Sequence, residues 1–127
     1  MRFKYHTVLL IDDDETDNFI MERLITLSGF SENIITYQDP RSALMFFKRK
    51  RPVHLPSWIF LDINMPLVNG FHFLEEIDKI EAGYLDKMNV VILSNSLSPA
   101  DKKKARSYNR VKHFLQKPLK FSDFEKL

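Results

Sequence analysis

Acidic, hydroxyl and ammonium side chains follow four short apolar runs of this chain. The acids are Asp12, Asp13 and Asp14 after the first run and Asp62 after the third, while Ser94 and Lys117 follow the fourth and fifth. Clustered carboxylates need either a cation or a proton to relieve their repulsion. Oxygen ligands without cysteine or paired histidine suit Mg²⁺ better than zinc. A hydroxyl and an ammonium opposite such an ion would cradle a phosphoryl group, and one carboxylate could be its nucleophile.

The apolar runs that carry these residues are expected to be strands of one sheet. The first, third and fourth are nearly continuous in apolar residues, which is typical of strands covered on both faces. The five predicted strands are Thr7–Ile11, Asn33–Tyr37, Trp58–Leu61, Val90–Leu93 and Val111–Leu115. Because helical patterns alternate with them, the sequence predicts an α/β fold with a doubly wound, five-stranded parallel sheet. The residues named above would then converge outside the carboxyl ends of the strands.

Five helical segments are predicted between and after the strands. They are Thr16–Ser28, Pro40–Arg51, Gly70–Ile80, a segment from Pro99 to about Tyr108, and a short helix capped by Ser122. In the first, Ile20, Leu24 and Leu27 form the predicted core stripe, with Phe19, Met21 and Ile25 supplementing it. Asp14, Glu15 and Asp17 are interpreted as acids that favour the helix dipole rather than as ligands.

Composition limits the remaining possibilities. The chain has 127 residues, of which 44% are hydrophobic, and this suits one domain with a substantial core. The absence of cysteine excludes a disulfide scaffold, a thiolate zinc site and a cysteine nucleophile. We expect neither a membrane span nor a secretory signal, so a cytoplasmic location is the default. The net charge of +2 gives no reason to expect direct contact with nucleic acid.

Four motifs together resemble the receiver domain of two-component response regulators. They are VLLIDD, LDINMPLVNG, VVILSNS and FLQKP, and they occur in the family's order across essentially the whole chain. The resemblance implies a flavodoxin-like (βα)5 fold with strand order 2-1-3-4-5. It also implies that residues 1–127 form a single receiver domain, with no output domain in this chain.

The resemblance assigns roles to individual residues. Asp62 would accept a phosphoryl group from a sensor histidine kinase or a histidine phosphotransfer protein. Asp13 would ligate Mg²⁺ directly and Asp12 largely through water, and Asp62 and the backbone carbonyl of Asn64 would also belong to the metal site. Ser94 and Lys117 would bind phosphoryl oxygens, and the bond from Lys117 to Pro118 is often cis in the family.

The resemblance also implies how the signal leaves the domain. Ser94 and Phe114 would form the switch that alters the surface of the fourth helix, fifth strand and fifth helix for an unidentified protein target. The chain would be a signalling receiver that catalyses only its own phosphorylation and dephosphorylation. Asn95 departs from the small residue usual after the switch serine, while Asn64 and Ser96 occupy positions that tune dephosphorylation.

Two other functions also fit part of the sequence. The segment Asp12-x-Asp14-x-Thr16 fits the start of a haloacid-dehalogenase-type phosphatase, which would use Asp12 and Asp14 but leaves the segment around Asp62 unexplained. A degenerate receiver that acts only as an interaction module is the other alternative. It is less favoured because every residue type needed for phosphoryl chemistry is present.

Overall fold

A computed structural model describes residues 2–49, 55–65, 69–80 and 87–127. Five strands form one parallel sheet in the order β2-β1-β3-β4-β5, which confirms the predicted fold class and strand order. The strands are β1 (Thr7–Ile11), β2 (Asn33–Tyr37), β3 (Trp58–Asp62), β4 (Asn89–Ser94) and β5 (Val111–Gln116). The last three are one or two residues longer than predicted, so that Asp62 and Ser94 end their strands rather than follow them.

The central strands are buried on both faces, which explains their continuous apolar sequences. Every residue of β1 and β3 is buried. Alternate side chains of the sheet point to opposite faces, so that Leu9 and Ile11 lie in one apolar cluster and Val8 and Leu10 in another. The first cluster includes residues of the second, third and fourth helices, and the second cluster includes residues of the first and fifth.

The helices alternate with the strands as predicted, with small differences at their ends. They are α1 (Glu15–Leu27), α2 (Pro40–Arg49), α3 (Gly70–Asp78), α4 (Pro99–Arg106) and α5 (Phe121–Phe124). The predicted end of the second helix at Arg51, and Pro66 of the longest motif, lie outside the described residues. None of the described helices combines the length and apolar character that a membrane crossing requires.

The predicted core stripe of α1 is confirmed only in part. Phe19, Ile20 and Leu27 are exposed, whereas Leu24 is partly buried and packs against the core. Met21 and Ile25, predicted to supplement the stripe, are buried together with Asn18. Both sets recur at helical spacing, and they lie on neighbouring faces of the same helix. The side-chain amide of Asn18 bonds to the end of β1, which determines the face that turns inward.

The predicted cap of α5 is wrong. Lys120 is the N-cap residue, and its backbone N–H donates to Asp123 Oδ2 at 2.8 Å. Ser122 lies inside the helix. Asp123, which lies inside the helix, therefore supplies the capping oxygen that Ser122 was expected to supply as the N-cap residue.

Candidate functional site

The strand register brings the predicted site residues to one edge of the sheet. Ile11 pairs with Leu61, so Asp12 and Asp62 occupy adjacent positions on neighbouring strands. Asp62 pairs with Leu93, which places Ser94 one residue further along β4. Ser94 pairs with Gln116, and Lys117 follows directly. Two aspartates, a serine and a lysine are thus set side by side by backbone pairing alone.

Three carboxylates form the centre of this site. Oxygens of Asp12, Asp13 and Asp62 lie within 4.8 Å of one another. Asp12 is fully buried and Asp62 is 3% exposed, while Asp13 is exposed at the mouth. Three close carboxylates repel one another unless a cation or a proton intervenes.

Asp12 is held by hydrogen bonds from several directions. Its Oδ1 accepts from the backbone N–H of Asp14 at 3.0 Å, and its Oδ2 accepts from Lys117 Nζ at 2.6 Å. Its backbone carbonyl accepts from Asn18 Nδ2 at 2.8 Å. A buried carboxylate satisfied in this way keeps one orientation, which a preformed site requires.

Lys117 supplies the positive charge opposite the carboxylates. Its backbone N–H donates to the carbonyl of Ser94 at 2.8 Å, and its bond to Pro118 is cis. Burial would lower the pKa of Lys117, but the hydrogen bond and charge of Asp12, together with the charge of Asp62, raise it overall. The ammonium is therefore protonated in the folded chain and balances part of the negative charge.

The surroundings of Asp62 change the pKa of its carboxyl group. Burial raises the pKa of Asp62, and the charge of Asp12 raises it further. The backbone N–H of Asn64, which donates to Asp62 Oδ1 at 2.9 Å, and the charge of Lys117 at 3.3 Å oppose this rise without cancelling it. An ionised Asp62 is thus disfavoured by the metal-free site, and a bound cation would relieve it.

The raised pKa of Asp62 has a consequence for stability. Between that pKa and its ordinary value of 3.8, the folded chain binds a proton that the unfolded chain does not. The stability that this extra proton adds to the folded chain is complete below pH 3.8 and is lost as the pH rises through the raised pKa of Asp62. In EDTA at neutral pH we therefore expect Asp62→Asn to be more stable than the unaltered chain, and the difference to shrink as pH falls. Urea unfolding of both chains across a pH series measures this, and a difference that is constant with pH would contradict it.

The donor set of the cluster fits a hard divalent cation. All three side-chain donors are carboxylate oxygens, the ligands that Mg²⁺ and Ca²⁺ prefer, and the chain contains no cysteine. Asp12 and Asp62 each use one oxygen to accept a backbone N–H, which leaves the other oxygen directed toward Lys117 and the cluster. The backbone carbonyl of Asn64 stays a predicted ligand.

Ser94 is buried beside the cluster and is bound to an amide rather than to a carboxylate. Its Oγ donates to Asn64 Oδ1 at 2.9 Å, and the backbone N–H of Asn95 donates to the same oxygen at 3.3 Å. The backbone N–H of Ser96 donates to Ser94 Oγ at 3.2 Å. Phe114 is half-buried and packs against the core cluster that contains Ala105 of α4.

Two residues of α1 belong to the site although neither was predicted from the sequence to do so. Asp17 Oδ2 lies 3.1 Å from Lys117 Nζ, and Asn18 holds the backbone of Asp12. The position of Asn18 could have indicated such a role, because it lies three residues before Met21 and seven before Ile25. A polar amide on the same helix face as two apolar residues needs a hydrogen-bond partner. Asp17 offers no comparable signal, because an acid in the first turn of a helix is ordinary.

Asp14 has the structural role that the sequence suggested. It is the N-cap of α1, where its Oδ1 accepts from the backbone N–H of Asp17 at 3.0 Å. It is not among the three acids of the carboxylate cluster. The geometry therefore gives no support to a phosphatase that would use Asp12 and Asp14.

The fold and the converging acids define a receiver of the response regulator class. The family model for the response regulator receiver domain matches residues 8–127, and the chain belongs to this family. The chain is 32% identical over 128 residues to the two-component response regulator ARR17 of Arabidopsis thaliana, covering 94% of this chain and 80% of that protein.

Two further proteins are similar over nearly the whole chain. The probable methanogenesis regulatory protein FilR2 of Methanothrix harundinacea is 31% identical over 121 residues, covering 94% of this chain and 76% of that one. The structure of a two-component response regulator from Cytophaga hutchinsonii superposes with a TM-score of 0.88 at 29% identity, covering 99% and 94% of the two chains. The predicted resemblance is confirmed.

Proposed function

We propose that this chain accepts a phosphoryl group on Asp62 from the phosphohistidine of a sensor histidine kinase or a histidine phosphotransfer protein. The observation that carries the proposal is the convergence of the Asp62 carboxylate with two further acids and Lys117 at the carboxyl edge of the sheet. Receiver domains of two-component systems take their signals from histidine kinases, so the donor class follows from the family.

The chemistry proposed for Asp62 is a direct displacement at phosphorus. A carboxylate oxygen of Asp62 forms a bond to phosphorus while the bond from phosphorus to the donor nitrogen breaks, and the nitrogen keeps the electron pair. Lys117 Nζ, 3.3 Å from Asp62 Oδ2, lies where it would stabilise the incoming phosphoryl oxygens. Alignment and charge neutralisation are the main requirements of phosphoryl transfer.

A divalent cation completes the proposed site. Asp12, Asp13, Asp62 and the backbone carbonyl of Asn64 would hold it, and Mg²⁺ is the ion that we propose. When bound, it supplies positive charge to the oxygens of the transferred group. The protein's own part is to hold the carboxylates in place, which it does through Asn18 and the backbone N–H groups of Asp14 and Asn64.

We propose that the signal leaves through Ser94 and Phe114. A phosphoryl oxygen on Asp62 would compete with Asn64 Oδ1 for the hydroxyl proton of Ser94. Movement of Ser94 and the following loop would let Phe114 repack, which changes the surface of α4, β5 and α5 for a protein target. On this proposal the chain is not an enzyme for another substrate and catalyses only its own phosphorylation and dephosphorylation.

The surface beside the site is suited to a phosphodonor protein. A groove of about 170 Å³ lies between α1 and the segment after β5, and Ile20, Leu24 and Pro118 line it together with Lys117. Ile20, one of the residues that line this groove, is 46% exposed. Apolar side chains exposed next to a reactive site mark a surface for protein docking.

Labelling with a small donor tests the proposal without the partner. After incubation with acetyl phosphate and Mg²⁺, we expect the intact chain to gain the mass of one phosphoryl group. The gain should be absent in EDTA, because the carboxylates then lack the cation that relieves their charge. Saturable Mg²⁺ binding without any gain of mass, from acetyl phosphate or from a phosphorylated histidine phosphotransfer protein, would contradict it and favour an interaction module.

A further inference from the structure

Lys117 is bound by a carboxylate that lies outside the acidic cluster. Its Nζ lies 3.1 Å from Asp17 Oδ2, compared with 2.6 Å from Asp12 Oδ2 and 3.3 Å from Asp62 Oδ2. The side chain of Lys117 is 11% exposed and that of Asp17 is 40% exposed, so this pair lies at the rim of the site. The first turn of a helix favours an acid at position 17.

The three carboxylates around Lys117 are not equivalent. Asp12 and Asp62 belong to the cluster that fits a cation, whereas Asp17 is not a member of that cluster among the described residues. A cation held by the cluster would draw on carboxylate oxygens of Asp12 and Asp62, and these two carboxylates also contact Lys117. Asp17 is then the carboxylate that keeps its oxygen for the lysine.

Lys117 can change partners only by moving its side chain. Its backbone is tied to β4 through the hydrogen bond to the carbonyl of Ser94. The ammonium has three N–H donors and lies within 3.3 Å of three carboxylates. A phosphoryl group on Asp62 adds further acceptors, which compete with the carboxylates for these three donors.

We infer that Asp17 is a positioning residue, which holds Lys117 toward the rim and competes with the phosphoryl group for its ammonium. The inference rests on the proposed function and deepens it by adding a restraint on the lysine. Asp17 slows phosphorylation because the contact between Asp17 and Lys117 must be broken or stretched before Lys117 can bind the phosphoryl oxygens.

The test compares phosphorylation rates of charge-matched variants with acetyl phosphate and Mg²⁺. We expect Asp17→Asn to be labelled about two- to fivefold faster, the range for loss of one partly exposed ion pair. Glu15→Gln removes the same charge from the same helical turn, and Glu15 is not among the carboxylates paired with Lys117 in the described chain. It should be labelled at the unaltered rate, and Asp17→Glu should restore that rate. In a Lys117→Met background, Asp17→Asn should change nothing further.

A second measurement reports on the pair without any phosphoryl donor. Urea unfolding in EDTA of the unaltered chain, Asp17→Asn, Lys117→Met and the double variant forms a double-mutant cycle. We expect the effects to be non-additive, with a coupling factor of about two to five in the unfolding equilibrium constant.

The outcomes separate this inference from the proposed function. Equal acceleration in Asp17→Asn and Glu15→Gln would show a general effect of charge on an anionic donor and would overturn the role of Asp17. An acceleration that persists in the Lys117→Met background, or additive unfolding effects, would overturn it as well. Labelling of the unaltered chain at the same rate as Asp17→Asn would overturn the role of Asp17 but leave the proposed function in place. Failure of the unaltered chain to be labelled at all would overturn the proposed function and with it the competition.

Discussion

The Asp62→Asn variant is expected to lose all phosphoryl labelling, whereas Asp14→Asn is expected to keep the unaltered rate within about twofold. Asp62 is the buried acid that faces Lys117 Nζ, and an amide in its place offers no carboxylate oxygen to phosphorus. Asn is as good an N-cap as Asp, so Asp14→Asn makes the same chemical change without disturbing α1. Intact-mass measurement after incubation with acetyl phosphate and Mg²⁺ reads out both variants.

The same pair of variants also decides between the two phosphoryl chemistries suggested by the sequence. A haloacid-dehalogenase-type site would depend on Asp12 and Asp14 and tolerate the change at Asp62. Full labelling of Asp62→Asn, or its loss in Asp14→Asn, would therefore contradict the assignment. Misfolding would not explain a loss of labelling in Asp62→Asn, because removing a charge from the carboxylate cluster is expected to stabilise the chain.

Gly70→Ala is expected to destabilise the fold by about 1–3 kcal/mol and to displace Asp62, the residue proposed to accept the phosphoryl group. A Cβ at Gly70 would lie 2.8 Å from the backbone oxygen of Asp62 and 2.9 Å from Ile63 Cγ2. The first of these contacts is with backbone, which cannot rotate away, so the end of β3 or the start of α3 must move. Urea unfolding measures the loss of stability, and the labelling rate measures the displacement of Asp62.

Gly29→Asn is the matched control for the glycine prediction. Gly29 has a φ of +75°, and a Cβ there would meet nothing within 4 Å. Asn tolerates this left-handed conformation better than most residues that have a Cβ, so the change should cost less than about 1 kcal/mol, by a mechanism unrelated to the site. Equal stability losses in the two variants would show that crowding against Asp62 is not the cause at Gly70.

The parts of the fold that the sequence predicted are those governed by burial on both faces. The runs Thr7–Ile11 and Trp58–Asp62 are entirely buried, and a continuous apolar run between turn residues is a strong indicator of such a strand. Once the strands alternate with helices, a parallel sheet follows, and the residues that end the strands must meet. This is why Asp12, Asp62, Ser94 and Lys117 could be brought together from the sequence alone.

The parts that were missed depend on contacts between side chains far apart in the chain. The buried face of α1 could not be distinguished from its neighbour by spacing, since Ile20 and Leu27 fit a helical stripe as well as Met21 and Ile25 do. The contact between Asp17 and Lys117 joins residues 100 positions apart. Likewise, no local pattern indicates that the hydroxyl of Ser94 donates to the amide of Asn64.

Three residues at the start of α1 connect this helix with the carboxyl edge of the sheet. Asp14 caps it, Asp17 pairs with Lys117, and the amide of Asn18 holds the carbonyl of Asp12. The same helix exposes Ile20 on the groove proposed to meet the phosphodonor. A chimera that exchanged this helix to redirect the chain to another kinase would therefore also replace the side chains that orient its own acids. On the proposed function, partner choice and phosphoryl chemistry are inherited together, and a successful graft would have to retain residues 14, 17 and 18 while changing the exposed positions around them.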